Sequence, residues 1–150
     1  MNCIIVDDEP LARQAVKSLV SGTKDLNLVG SFNNATSAAD FMKDNIVDLV
    51  FLDIQMPGVT GLEFARQIPK TTLVIFTTAY AEYAVEIYET EAIDYLLKPI
   101  DEKRFSKAVA KALVYHSLLI QEEKDDIEDG MDYFFVKSER RYFKVKYDDI

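Results

Sequence analysis

The sequence predicts an α/β domain in which five parallel strands form one sheet with helices on both faces, followed by a short β-hairpin. Short, almost wholly apolar runs alternate five times with stretches of helical periodicity, the order a parallel sheet needs when helices make its crossovers. Acidic, hydroxyl and basic residues stand at the carboxyl ends of those runs, where such folds keep their ligand sites. The last residues, 133 to 150, alternate apolar with basic side chains around a polar turn.

Asn2 to Val6 is an apolar run bounded by acids and reads as a buried strand. A helix starts at Pro10, a residue suited to the first turn, carries Leu11, Ala15, Val16, Leu19 and Val20 at helical spacing, and stops at Gly22. Leu26 to Phe32 is the second strand, and Thr36 to Asp44 a helix presenting Ala38, Ala39, Phe41 and Met42. Asp48 to Leu52 is the third strand; after the loop QMPGVTG a helix covers Leu62 to Ile68. Leu73 to Thr77 is the fourth strand, Ala81 to Glu89 a short helix, and Ile93 to Leu97 the fifth strand. A long helix from Glu102 to Glu122 closes the series, with Phe105, Val109, Ala112, Leu113, His116, Leu119 and Ile120 along one face. Right-handed crossovers then cover both faces of the sheet, a doubly wound arrangement of the flavodoxin-like kind.

The chain has 150 residues, of which 49% are hydrophobic and 29% charged, enough apolar material for one packed domain and too much for a disordered chain. No apolar run approaches the roughly 20 residues of a membrane span, and Asp7, Asp8 and Glu9 interrupt any secretory signal. The single cysteine, Cys3, has no partner for an internal disulfide and reads as a buried thiol in a reducing, cytoplasmic protein. Net charge is −9, unevenly spread: residues 132 to 150 hold five basic and four acidic side chains, the preceding residues 12 basic and 22 acidic.

Three carboxylates, a hydroxyl and an ammonium are expected to converge at one edge of the sheet. The first strand runs into Asp7 and Asp8, the third into Asp53, the fourth into Thr77 and Thr78, the fifth into Lys98 and Pro99. Crowded carboxylates repel one another and raise each other's pKa, so the cluster implies a cation. Oxygen ligands without His or Cys select Mg²⁺ or Mn²⁺ over zinc. Such an ion keeps several waters and takes an anionic partner, commonly a phosphoryl oxygen, to which Thr78 can donate a hydrogen bond and Lys98 offer a charge.

The segments IIVDDEP, LVFLDIQMPGVTGLE, FTTAY and DYLLKPI resemble the motifs of the response-regulator receiver domain, the phosphoacceptor module of bacterial two-component signalling, over residues 1 to 124. FTTAY and DYLLKPI, with a short helix between them, are most similar to the LytR/AlgR class. The resemblance implies a CheY-like fold in which Asp53 is the nucleophile that becomes an aspartyl phosphate. It implies that Asp8, Asp53 and the backbone carbonyl of Gln55 ligate Mg²⁺, with Asp7 acting through a metal-bound water. Thr78 and Lys98 would hold the phosphoryl oxygens. Thr78 and Tyr95 would form the switch, and Lys98–Pro99 a cis peptide bond. Gln55 and Tyr80, two residues beyond Asp53 and Thr78, match positions that control water's approach to the phosphoryl group, and a bulky Tyr80 implies a half-life of minutes or longer. Implied partners are a sensor histidine kinase and a second copy in a homodimer, with no membrane contact. Catalysis is confined to the chain's own phosphorylation and dephosphorylation.

Two other readings share parts of this pattern. A haloacid-dehalogenase-like phosphohydrolase also places an Asp nucleophile after an apolar strand, but needs a second acid where Gln55 stands. A flavodoxin-like binding module needs Gly, Ser or Thr in its first loop to cradle a phosphate, and DDEPLA has none. Beyond the last helix, residues 125 to 132 read as an acidic linker, and FFVKSERRYFKVKYDDI, with its turn at Ser138 to Arg141, resembles the truncated start of a LytTR DNA-binding domain. DNA binding is expected only through the full-length effector domain. Phe134, Val136, Phe143 and Val145 are expected to share one apolar face, pairing the tail with another copy of the chain. His116, the lone histidine, is expected to be a partly buried helical residue without a catalytic role.

Overall fold

The computed structural model describes residues 1–128 of the chain. In order they form β1 (Asn2–Val6), α1 (Pro10–Ser21), β2 (Asn27–Phe32), α2 (Ala35–Asp44), β3 (Leu49–Asp53), α3 (Gly61–Gln67), β4 (Leu73–Thr78), a 3₁₀ turn (Ala81–Tyr83), α4 (Ala84–Tyr88), β5 (Asp94–Leu97) and α5 (Glu102–Glu128). The five strands make one parallel sheet in the order β2-β1-β3-β4-β5.

Period-two alternation along the strands sends successive side chains to opposite faces and builds a core on each. Cys3, Ile5, Phe51 and Ile75 face α1 and α5, where Val16, Val20, Phe105, Val109 and Ala112 meet them; the Phe51 and Phe105 rings stack with centroids 5.4 Å apart. Ile4, Val6, Leu52 and Phe76 point the other way, onto Ala38 of α2, Phe64 of α3 and Ile87 of α4. Burial pushes the Cys3 thiol up to about 11, leaving an inert thiol in the core.

Local chemistry sets the helix starts. Pro10 opens α1; Asn34 caps α2 by accepting from the Ser37 N–H at 2.8 Å; Thr60 caps α3 by accepting from the Glu63 N–H at 3.2 Å.

The structure corrects several sequence expectations. Leu11 and Ala15 are exposed on α1, because Val16 and Val20 meet the sheet and those two positions lie off that face. On α5, Ile120 is 52% exposed for the same reason, while Leu113 and Leu119 pack inward. The expected fourth helix divides into the 3₁₀ turn and a five-residue α4. Helix α5 continues to Glu128, past the expected end at Glu122 and into the segment read as a linker; Glu and Lys are good helix formers and no breaker intervenes. The expected hairpin at 133–150, with its pairing face, lies outside the described residues, as does the rest of the linker. Among the described residues no helix is long and apolar enough to cross a membrane.

Candidate functional site

The strand order reverses between β1, whose chain goes on to β2 at one side, and β3 at the other, so a crevice opens beyond their carboxyl ends. Asp7 follows β1 directly and Asp53 is the last residue of β3. Asp53 aligns with Thr77 across the β3–β4 pair, and Thr78 aligns with Leu97 across β4–β5. The Lys98 N–H then donates to the Thr78 carbonyl at 2.8 Å, carrying the lysine to the same edge. Gly61 permits the β3–α3 loop to fold back: a Cβ there would stand 2.0 Å from the Asp53 carbonyl oxygen.

The expected residues meet. Carboxylate oxygens of Asp7, Asp8, Glu9 and Asp53 lie within 4.8 Å of one another. Asp7 and Asp53 are buried, 1% and 3% exposed. Lys98 Nζ stands 2.9 Å from Asp7 Oδ2 and 3.6 Å from Asp53 Oδ1. Asp53 Oδ1 accepts from the Gln55 N–H at 3.3 Å, and Asp7 Oδ1 from the Glu9 N–H at 3.0 Å. The Thr78 hydroxyl oxygen accepts from the Tyr80 N–H at 3.0 Å. A cleft of about 540 Å³ opens above them, lined by Asp8, Glu9, Asp53, Gln55, Thr78 and Lys98 together with Tyr80 and Tyr83. Thr77 is not among its walls, which favours Thr78 as the hydroxyl that meets a ligand.

Burial pushes the Asp53 carboxyl up to about 7, helped by the Asp7 charge and a hydrogen bond with Asp8 and opposed by Lys98 and the Gln55 N–H. Burial works against the charge of Lys98, but its 2.9 Å approach to Asp7 and the charges of Asp53, Asp7 and Glu9 outweigh it and hold the ammonium above its ordinary value. Asp7 Oδ2 is buried and, despite the nearby ammonium, receives no hydrogen bond of acceptable geometry. A buried carboxylate oxygen without a hydrogen bond, in a crowd of acids that a single ammonium does not neutralise, suits a hard divalent cation, so the donor set fits Mg²⁺.

The remaining expected residues are placed as follows. Lys98–Pro99 is cis. Tyr95 is half-buried, pairs with Phe76 in the sheet and packs on the core, outside the cleft. Its carbonyl accepts from Arg104 at 3.0 Å, and Arg104 also forks onto Asp94 at 2.6 and 2.9 Å. His116 is partly buried at the far end of the sheet, its Nε2 3.3 Å from Asp48 Oδ1. Two residues given no role by sequence join the site. Glu9 belongs to the acidic cluster, foreshadowed by its place in DDEP. Tyr83 accepts a hydrogen bond from Gln55 Nε2 at 2.6 Å, a contact between distant segments that no local motif signals.

A family model of the response regulator receiver domain matches residues 3–110. The transcriptional regulatory protein BtsR of Salmonella typhi is 40% identical over 126 residues, covering 83% of this chain and 50% of that protein. An uncharacterised response regulatory protein of Vibrio vulnificus is 40% identical over 125 residues, 81% of this chain and 52% of the relative. The chain thus spans about half the length of the curated relatives it matches. The crystal structure of the response regulatory domain of mrkE from Klebsiella pneumoniae superposes with a TM-score of 0.72 at 36% identity, covering 79% of this chain and 99% of that one. The response regulator TrrA of Thermotoga maritima, solved in complex with Mg²⁺ and BeF, gives a TM-score of 0.65 at 30% identity, covering 74% and 97%. With its five parallel strands, its flanking helices and this acidic crevice, the chain belongs to the response regulator receiver domain family.

Proposed function

We propose that the chain accepts a phosphoryl group from a sensor histidine kinase on Asp53 and passes the signal to a transcription-regulating output. The observation that carries this is the position of Asp53: the last residue of β3, buried at the floor of an open cleft, 3.6 Å from the Lys98 ammonium and among carboxylates that call for a dication. Asp8, Asp53 and the Gln55 backbone carbonyl would hold Mg²⁺, with Asp7 and Glu9 beside it. When bound, the ion supplies charge neutralisation for phosphoryl transfer, which needs positioning and electrostatics more than covalent chemistry. The Mg²⁺–BeF complex of TrrA, a relative at 30% identity, supports the same ligand class here.

Asp53 acts as the nucleophile once its carboxyl has lost its proton. Lys98 and the Thr78 hydroxyl bind the phosphoryl oxygens. To reach them, the Thr78 hydroxyl leaves the Tyr80 N–H that it now accepts from, and the segment after β4 moves with it. Tyr95, whose main chain is held by Asp94 and Arg104 while its ring sits on the core, is the partner that answers this movement. The changed surface would be that of α4, β5 and α5, used by a homodimer. The name of BtsR as a transcriptional regulatory protein supports that output. We further assign the chain to the LytR/AlgR class, with residues 133–150 as the start of a LytTR domain that contacts DNA only when complete, in the cytoplasm.

Incubation with acetyl phosphate tests this. The protein gains the mass of one phosphoryl group in the presence of Mg²⁺ and none after EDTA; a gain independent of the metal, or none at all, contradicts it.

A further inference from the structure

A second cavity, of about 330 Å³, lies between α3 and α4 and shares only Leu62 with the lining of the acidic cleft. That volume is within the range of small-molecule sites. Its floor is apolar and buried, formed by Val74 and Phe76 of β4. Of the five residues of α4 only Ile87 is buried, and α3 contributes the small Ala65 to the lining, so the two helices leave a gap over β4. At the rim Lys70 and Glu91 form an ion pair that ties the segment after α3 to the segment after α4. Two further features of the lining bear on what would fill it. Arg66 stands on α3, whereas Glu86 stands on α4 and Glu89 at its C-cap, so the facing walls carry opposite charge. Among the described residues none of these three is in an ion pair. The hydroxyls of the lining, by contrast, are engaged. Thr72 donates to the Val47 carbonyl at 2.8 Å, and Thr90 donates to the Ile87 carbonyl at 2.6 Å while accepting from the Ala92 N–H at 3.2 Å. Polar recognition in this cavity therefore falls to Arg66, Glu86 and Glu89.

We propose that this cavity binds an apolar α-amino acid, with its side chain on Val74 and Phe76, its carboxylate at Arg66 and its ammonium at Glu86 and Glu89. A monoanion is drawn to Arg66 but repelled by the two glutamates, and a monocation meets the reverse. A neutral apolar molecule uses the floor and leaves both walls unanswered. A small molecule that carries both charges beside an apolar group satisfies the floor and the two walls together. The three charged side chains are exposed, so each ionic contact is modest and the apolar floor supplies much of the binding. The proposal does not depend on the reading of Asp53, which is not part of this cavity.

Calorimetric titration of the whole chain tests this with three probes: L-phenylalanine, phenethylamine, which lacks the carboxylate, and 3-phenylpropionate, which lacks the ammonium. Phenylalanine is expected to bind with a Kd of about 1 mM, as suits a small ligand in a partly open site. Each analogue should bind about threefold to fivefold more weakly, the range an exposed ion pair supports. Arg66→Gln should weaken phenylalanine by the same factor and leave the amine's affinity unchanged. Glu86→Gln combined with Glu89→Gln should weaken phenylalanine and leave 3-phenylpropionate bound no more weakly than before. Ala65→Leu, which fills the cavity, should abolish binding of all three probes, its melting temperature reporting whether the chain still folds. The charge variants alter exposed side chains and decide the matter even where Ala65→Leu fails to fold. Absence of phenylalanine binding up to about 10 mM overturns the proposal. So do analogues that bind as tightly as phenylalanine, an Arg66→Gln protein that binds phenylalanine as the parent does, or a folded Ala65→Leu protein that still binds it.

Discussion

Lys98 Nζ lies 2.9 Å from Asp7 Oδ2, a shorter approach than its 3.6 Å to Asp53 Oδ1. The only ammonium at the cleft is thus committed first to the buried acid beside the nucleophile, among the described residues. Lys98 offsets part of the charge of a crowd of carboxylates before any ligand arrives, and Asp53 still lines the cleft.

Removal of that charge is expected to destabilise the chain. Lys98→Met leaves Asp7 and Asp53 buried without their cation, and should cost about 1–3 kcal/mol in urea unfolding without metal. Saturating Mg²⁺ should shrink the deficit, because the ion neutralises the same oxygens. A deficit unchanged by Mg²⁺ would separate the lysine from the metal site.

The raised pKa of Asp53 makes metal binding depend on pH. Its folded value is about 7 against an ordinary 3.8, so the protonated carboxyl favours the folded state at low pH. That contribution is full below the unfolded value and is lost as pH rises through about 7. Mg²⁺ competes with the proton, so its stabilising effect should be larger at about pH 8 than at about pH 6. Melting temperatures with and without the ion measure this; equal shifts at the two pH values would contradict it.

At Asp94 the sign is opposite. Burial raises its carboxyl, but the Arg104 fork and the Tyr95 N–H outweigh that and hold it below the ordinary value. Stability from the pair is present above the unfolded value and is lost as pH falls through the folded one. Arg104 is partly solvated, so Asp94→Asn should cost about 1 kcal/mol near neutrality after screening. The difference from the parent chain should close in acid; a constant difference down to about pH 3 would exclude the ionic contribution.

Tyr80 offers a further change at the cleft. It is 47% exposed and lines the cleft. Tyr80→Ala should speed loss of the phosphoryl group roughly tenfold, about 1.4 kcal/mol of barrier, read from the mass time course. An unchanged rate would leave Tyr80 as surface.

The fold and the floor of the site were legible because both depend on local pattern. Apolar runs ending in Asp7, Asp53, Thr78 and Lys98 specify buried strands and which residues stand at their ends, and parallel crossovers bring those ends together. Leu11 and Ile120 misled because helical spacing alone does not say which edge of an apolar stripe the sheet covers. The length of α5 depended on charged residues whose helix propensity is high but whose apolar periodicity is absent. The Gln55–Tyr83 bond joins two loops whose relative placement is set by the whole sheet, so neither segment announces it.

The most direct measurement compares the parent chain with Asp53→Asn by intact mass after incubation with acetyl phosphate and Mg²⁺. The parent should gain one phosphoryl group, lost again on standing as the acyl phosphate hydrolyses, and Asp53→Asn, which keeps the shape and removes the nucleophile, should gain none. Full labelling of Asp53→Asn would contradict the assignment of Asp53 as the phosphoacceptor.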